Sequence, residues 1–354
     1  MGDRGMIRIK ARAPTARGVV LPTLWGALAV AYKFGCPLAT QERLGARIAA
    51  SVVFFGVGIG LLVHVRRALL RELRLARRAA RVAQGVVLRP PPPRLDGLGV
   101  AAAQLSADRG ASVGGDLYEA VATEHGVRVV MGDVRGHGLD ALGTVAAVLG
   151  SFREAAHDEA RLDGVLRRLE RALARHLRER ARAEHPSTGG TADLDHPVAE
   201  EFVTVLLLEI GRDGALGVLN CGHPWPYRLT GTAVEPLTRA EPLPPLGPFP
   251  LPADLAPHRC EPLRPAESLV LFTDGAEDAR DARGRFFALP DALRTAVRDQ
   301  PASPQRVLRA VFTALLRHTG GTPTDDVALL VLRNERGPAP RAREPARPAT
   351  TTHG

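Results

Sequence analysis

Residues 48–65 run for 18 positions without an Asp, Glu, Lys or Arg. So apolar a segment must satisfy its backbone internally, which demands a helix that lies in lipid or inside protein. A second apolar run, residues 18–32, precedes it, with Pro22 inside and Lys33 at its end. It reaches spanning length by borrowing residues 34–38. Together the two runs predict an N-terminal transmembrane helical hairpin over 18–65. The alternative is an uncleaved signal sequence followed by one buried core helix. No small-residue cleavage site separates the runs, which argues against a removed leader.

The flanks orient the hairpin. Arg4, Arg8, Lys10, Arg12 and Arg17 precede the first run, and Arg66, Arg67, Arg71, Arg74, Arg77, Arg78 and Arg81 follow the second. The connection carries only Lys33, Arg43 and Arg47 against Glu42. The positive-inside rule then puts both ends in the cytoplasm, giving a two-pass cell-membrane protein with a cytoplasmic C-terminal domain. Residues 66–84 read as a basic helical stalk with a loose apolar stripe: Leu69, Leu70, Leu73, Ala76, Ala80 and Ala83. Such a stalk can lie against anionic headgroups, making membrane lipid a partner. It can also pair with a second copy, so a homodimer through stalk or catalytic domain is the other reading. Pro90 to Pro93 end the helix as a stiff spacer.

Charge separates the chain into two chemistries. The formal net charge is +9, and residues 1–17, 18–65, 66–89 and 336–354 carry +4, +2, +7 and +3, leaving −7 for residues 90–335. A DNA-binding protein places its basic excess on its folded domain. Here the folded domain is acidic, and aromatics are 4% of residues, too few for a base-stacking platform. Nucleic acid is therefore not an expected partner. Three dispersed cysteines, Cys36, Cys221 and Cys260, exclude a disulfide scaffold and a cysteine-cluster zinc site.

From residue 95 to about 333, short β-like runs (127–131, 202–210, 216–219, 268–272, 327–332) interleave with helix-length segments (139–156, 162–183, 289–297, 304–318). Strands and helices in that order predict α+β rather than strict βαβ alternation. Residues 185–198 read as a loop. The expected organisation is a basic N-terminus (1–17), two spans (18–65), stalk and Pro-rich linker (66–94), one catalytic domain (95–335) and a disordered tail (336–354).

Four acidic positions in that domain share one pattern: each sits at a strand edge beside a glycine or a second Asp. They are Asp116 after Gly114-Gly115, Asp133 after Gly132, Asp274 before Gly275, and Asp325 before Asp326. Carboxylates suit hard divalent cations, and glycine lets a backbone carbonyl approach the ion. One Asp-Gly alone is a turn; four in one domain point to a metal centre. No Gly-x-x-x-x-Gly-Lys-Ser/Thr loop is present, so a P-loop ATPase is excluded. No cysteine has an Arg six positions later, so a cysteine-phosphatase loop is absent.

These motifs, in order, resemble the metal-dependent serine/threonine phosphatases of type 2C (the PPM family) in their bacterial SpoIIE-like branch. Gly114-Gly115-Asp116-Leu117-Tyr118 is similar to the first motif, and Gly132-Asp133-Val134-Arg135-Gly136-His137-Gly138 to the second. Asn220-Cys221-Gly222-His223-Pro224, Leu246-Gly247, Thr273-Asp274-Gly275 and Asp325-Asp326 resemble the rest. The resemblance covers about residues 95–335. It implies an αββα sandwich of two antiparallel sheets flanked by helices, with two Mn²⁺ or Mg²⁺ ions in a cleft. Carried over, Asp133 would bridge both ions. Asp116 and the Val134 carbonyl would serve the first, and Asp274 with Asp325 (or Asp326) the second. Gly115, Gly136, Gly138 and Gly275 would shape the loops. His137 would be a proton donor or a loop-packing residue, and His223 a packing and hydrogen-bonding residue. Asp278 stands where the family usually has Glu.

The implied activity is hydrolysis of phosphoserine or phosphothreonine on a regulatory protein, an anti-sigma-factor antagonist in this branch, by metal-activated water. The alternative is a catalytically weak domain of the same fold that binds a regulatory partner.

Overall fold

The structure, a computed structural model, describes residues 44–105, 114–136, 138–184, 201–298 and 302–337. The chain divides into two units, residues 1–78 and 79–354. The first run of the expected hairpin lies outside the described residues. The second is present as part of one long helix, α1 (Leu44–Val87). Within it Val52–Glu72 is long and apolar enough to cross a membrane, with mean hydropathy 1.7, the one such helix among the described residues. Val52, Val53, Phe55 and Leu62 are exposed on it. The two-helix hairpin is thus unconfirmed. The expected span and stalk are one continuous helix, because Ala, Leu and Arg all favour the helical backbone and no Gly or Pro interrupts residues 61–84. α1 ends at Val87, ahead of the Pro90–Pro93 run, whose residues cannot donate to a helix and whose predecessor disfavours one.

The second unit holds β1 (Arg94–Leu95), β2 (Leu98–Leu105), β3 (Asp116–Thr123), β4 (Gly126–Val134), α2 (Leu139–Asp158), α3 (Leu162–Glu184), β5 (Val203–Ile210), β6 (Leu216–Cys221), β7 (Tyr227–Thr230), β8 (Ala233–Pro236), β9 (His258–Cys260), β10 (Ser268–Phe272), α4 (Gly275–Asp278), α5 (Leu289–Ala296), α6 (Pro304–His318) and β11 (Val327–Asn334). They build two sheets, ordered β1-β2-β11-β10-β7-β8 and β3-β4-β5-β6-β9. Every strand pairing is antiparallel.

The period-two alternation of each strand sorts its residues into layers. Met131, Val129, Leu206 and Leu208 of one sheet meet Leu269, Leu271, Leu330 and Leu332 of the other in a shared core. The opposite faces are covered by helices. Val130, Val205 and Leu207 pack with Leu149, Phe152, Leu166 and Leu169 of α2 and α3. Val270, Leu329 and Val331 pack with Leu293, Val307, Val311 and Leu315 of α5 and α6. The order is helix, sheet, sheet, helix: the expected αββα sandwich. Burying each such Leu or Phe is worth about 1.5–3 kcal/mol.

Arg128 shows how tightly the layers are tied. It is fully buried on β4. It pairs with Glu209 on β5 and donates to the carbonyls of Ala156, Glu159 and Ala160. A helix C-terminus leaves carbonyls without intrahelical partners, and a guanidinium there satisfies several at once. Arg128 thereby fastens the end of α2 to the sheet beneath it.

Candidate active site

The inner-face parity of the core continues past its apolar residues to one end of the sandwich, where the side chains become polar. Asp116 shares the parity of Tyr118 and Ala120, and Asp133 that of Met131 and Val129. Asp116 and Asp133 are register partners across β3 and β4. Directly opposed residues project to the same face, with Cβ atoms about 5 Å apart. From the other sheet, Thr273 follows β10 and Asp326 precedes β11 on the same inward parity. Thr273 joins the sheets: its Oγ1 donates to Asp116 Oδ2 at 3.3 Å and accepts from the Ala328 N–H at 2.9 Å.

The glycines are there because nothing larger fits. A Cβ on Gly275 would lie 2.0 Å from the Asp326 carbonyl oxygen, so the turn after Asp274 is pressed against the Asp325–Asp326 pair. A Cβ on Gly114 would lie 2.1 Å from Asp326 Oδ2, and one on Gly115 2.3 Å from the Val134 carbonyl oxygen and 2.8 Å from Asp133 Oδ1. Backbone from both sheets therefore closes around the carboxylates. Gly136 and Gly138 have φ of +109° and +93°, a left-handed backbone that glycine adopts without strain. His137 between them lies outside the described residues.

Crowded carboxylates raise one another's pKa. Burial, then Asp133 and Asp326, holds Asp116 well above the usual carboxylate range. Burial, followed by Asp274, Asp325 and Asp326, pushes Asp133 up to about 7. Asp274 is raised by burial and then by Asp325. Four expected positions and the alternative Asp326 are thus one electrostatic cluster. Among the described residues no three His, Cys, Asp or Glu side chains close around a single point. The donor set is nonetheless all oxygen, strongly anionic and cradled by glycine, which fits a hard divalent cation and not a soft one.

Beneath Asp133 lies a second polar set. Thr204 on β5 is its register partner. The Asp133 N–H donates to Thr204 Oγ1 at 3.1 Å, and Thr204 Oγ1 lies 3.0 Å from His223 Nδ1. Asn220 clamps His223 at both ends of its backbone, accepting from its N–H and donating to its carbonyl, each at 2.8 Å. Burial lowers the His223 pKa to about 3, so the ring stays neutral. Cys221 is buried beside it, its thiol pushed up to about 12 by burial, and acts as a small apolar side chain. Sequence reasoning missed Thr204 and left Thr273 without a role. A signal existed for Thr204: it is the one polar residue in residues 202–208, at an inward-facing position.

The family model for Stage II sporulation protein E (SpoIIE) matches residues 123–335, a span that holds Asp133, Asp274, Asp325 and Asp326. Two solved structures share the fold. The RsbU and RsbW domains of Rv1364c from Mycobacterium tuberculosis align at TM-score 0.54 and 22% identity, over 72% of this chain and 64% of that one. The SiaA-PP2C domain of Pseudomonas aeruginosa aligns at TM-score 0.51 and 18% identity, over 76% and 98%. The alignment thus spans just under two thirds of that solved mycobacterial chain.

Proposed function

The chain belongs to the SpoIIE family of PP2C-type serine/threonine phosphatase domains, and from that premise we propose that it is an active, membrane-anchored phosphatase. Its substrate would be phosphoserine or phosphothreonine on a regulatory protein, of the anti-sigma-factor-antagonist kind. The observation that carries the reading is the cluster of strand-end carboxylates at one end of the inter-sheet core, drawn from both sheets, in which Asp116, Asp133 and Asp274 are held at raised pKa. PPM phosphatases depend on Mn²⁺ or Mg²⁺, and when bound a pair of such ions supplies Lewis acidity that activates water and neutralises phosphoryl oxygens.

This chain's residues would do the rest. Asp133 would be shared between two ions, with Asp116 and the Val134 carbonyl on one side. Asp274 and Asp325 would serve the other, Asp326 being the alternative to Asp325. Thr273 keeps Asp116 oriented through its 3.3 Å hydrogen bond. Burial and the neighbouring carboxylates push Asp133 up to about 7, so it would have to be deprotonated to hold a cation, and cation affinity should rise with pH. The membrane reading is supported by the apolar segment Val52–Glu72 and the arginines after it. The substrate class is supported by the mycobacterial fold relative, in which an RsbU domain accompanies an RsbW domain.

The full-length chain in detergent should hydrolyse a phosphoserine peptide with Mn²⁺ and lose that activity in EDTA or as Asp133→Asn. Turnover retained in either condition would refute the reading. A phosphoprotein accumulating in cells that carry Asp274→Asn identifies the substrate.

A further inference from the structure

We propose that Thr204 and His223 form a positioning relay for Asp133, running from its backbone N–H to the Thr204 hydroxyl and on to a clamped, buried imidazole. The relay rests on the reading that Asp133 holds the cation.

Asp133 is the penultimate residue of β4, and the ladder beyond it is short. Strand ends fray, and the like charges of Asp116, Asp274, Asp325 and Asp326 push on this carboxylate. Something must keep its backbone in register. The geometry sets the first step of the relay. The Asp133 N–H can only donate, so Thr204 Oγ1 accepts from it at 3.1 Å. The hydroxyl proton has two acceptors in reach, the Asp133 carbonyl at 3.5 Å and His223 Nδ1 at 3.0 Å; the relay assigns it to the closer Nδ1, which places the ring proton on Nε2. The ring senses the Phe272 backbone of the opposite sheet, and Nε2 closes no hydrogen bond of ordinary geometry.

His223 can anchor such a chain because it cannot move. It is 3% exposed. Asn220 holds both its N–H and its carbonyl. Gly222 before it has φ +68°, and a Cβ there would meet the Pro245 ring at 2.7 Å. The Asn-Cys-Gly-His segment contributes no carboxylate to the cluster. Its role is instead to deliver one immobile acceptor under the strand that carries Asp133. Neither Thr204 nor His223 is a catalytic residue on this account; both act through Asp133.

The test is direct Mn²⁺ binding by the full-length chain in detergent, read from the electron paramagnetic resonance of free Mn²⁺ and so independent of turnover. Thr204→Val keeps the shape and removes the hydroxyl, and should weaken Mn²⁺ binding about tenfold, as loss of a ligand's supporting partner typically does. Thr204→Ser, which restores the hydroxyl, should return binding to within about twofold of wild type. His223→Asn keeps an acceptor near Nδ1 and should bind more tightly than His223→Leu. Melting temperatures in EDTA report whether each variant is folded. Unchanged Mn²⁺ affinity in Thr204→Val, while Asp133→Asn loses it, would overturn the relay alone. Unchanged affinity in Asp133→Asn as well would overturn the metal reading beneath it. Should Thr204→Val not fold, the order of the two His223 variants decides on the same scale.

Discussion

Replacing Asp133 by Asn should make the metal-free protein more stable while abolishing its activity. The carboxyl is pushed from 3.8 up to about 7, first by burial and then by Asp274, Asp325 and Asp326. That is about three pKa units, each worth about 1.4 kcal/mol, so the ionised group burdens the native state by up to about 4 kcal/mol. The sign follows from linkage. A carboxyl whose folded pKa exceeds its unfolded value contributes stability below about pH 4, and that contribution is lost as pH rises through about 7. Asn carries no charge at any pH. The gain from Asp133→Asn should therefore be greatest at pH 8, up to about 4 kcal/mol, and fall below about 2 kcal/mol at pH 5. For a domain of this size, 1 kcal/mol corresponds to about 2–4 °C in Tm. Thermal melts of the full-length chain in detergent and EDTA at both pH values read the difference. Saturating Mn²⁺ should reverse the order, since only the wild type gains its full binding energy. A variant less stable than wild type at pH 8 in EDTA, or a difference that ignores pH, would refute the idea of a self-repelling carboxylate cluster.

Other outcomes follow from single contacts. Arg128→Met should cost about 3–5 kcal/mol in denaturant unfolding, because it leaves Glu209 unpaired and strips the carbonyls at the end of α2; a loss under about 1 kcal/mol would contradict that anchoring role. Gly275→Ala should lower phosphatase activity by about a hundredfold with the sheets intact by circular dichroism, since its Cβ would sit 2.0 Å from the Asp326 carbonyl oxygen. Thr273→Val should leave Asp116 without its hydroxyl donor and raise the Asp116 pKa further, measurable as a higher pH midpoint for Mn²⁺ binding.

The legibility of this protein was uneven, for physical reasons. The strands at 268–272 and 327–332 were readable because Val, Leu and Phe run on without a polar break where both faces are buried. β2 was not, because Gly and three consecutive alanines hide its pattern. For β3 only the edge at Asp116 was read, because Glu119 and the alanines after it leave no continuous apolar run to show the strand's extent. β7, β8 and β9 are three or four residues long, too short for periodicity to register. The helix at 304–318 was readable from its helical length and composition, and the structure adds its Ser303 cap, which accepts from the Arg306 N–H, and the proline in its first turn.

The sequence by itself determined the apolar segment, the separation of a basic flank from an acidic domain, the four carboxylate motifs and their order. Those are local properties, readable from composition and from residues a few positions apart. Only the tertiary structure decided which strands are neighbours, and hence that Asp116 stands opposite Asp133 and that Thr204 stands opposite Asp133 on the other side. It also decided that Thr273 would reach across from the second sheet. Register is set by burial of an entire face, because a slip of one residue turns every side chain to the other side. Asp116, Asp133 and Asp326 meet at one end of the sandwich because they share the inward parity of the core beneath them, and Asp274 and Asp325 join them from the turns beside β10 and β11, a relation that exists only once the sheets have packed.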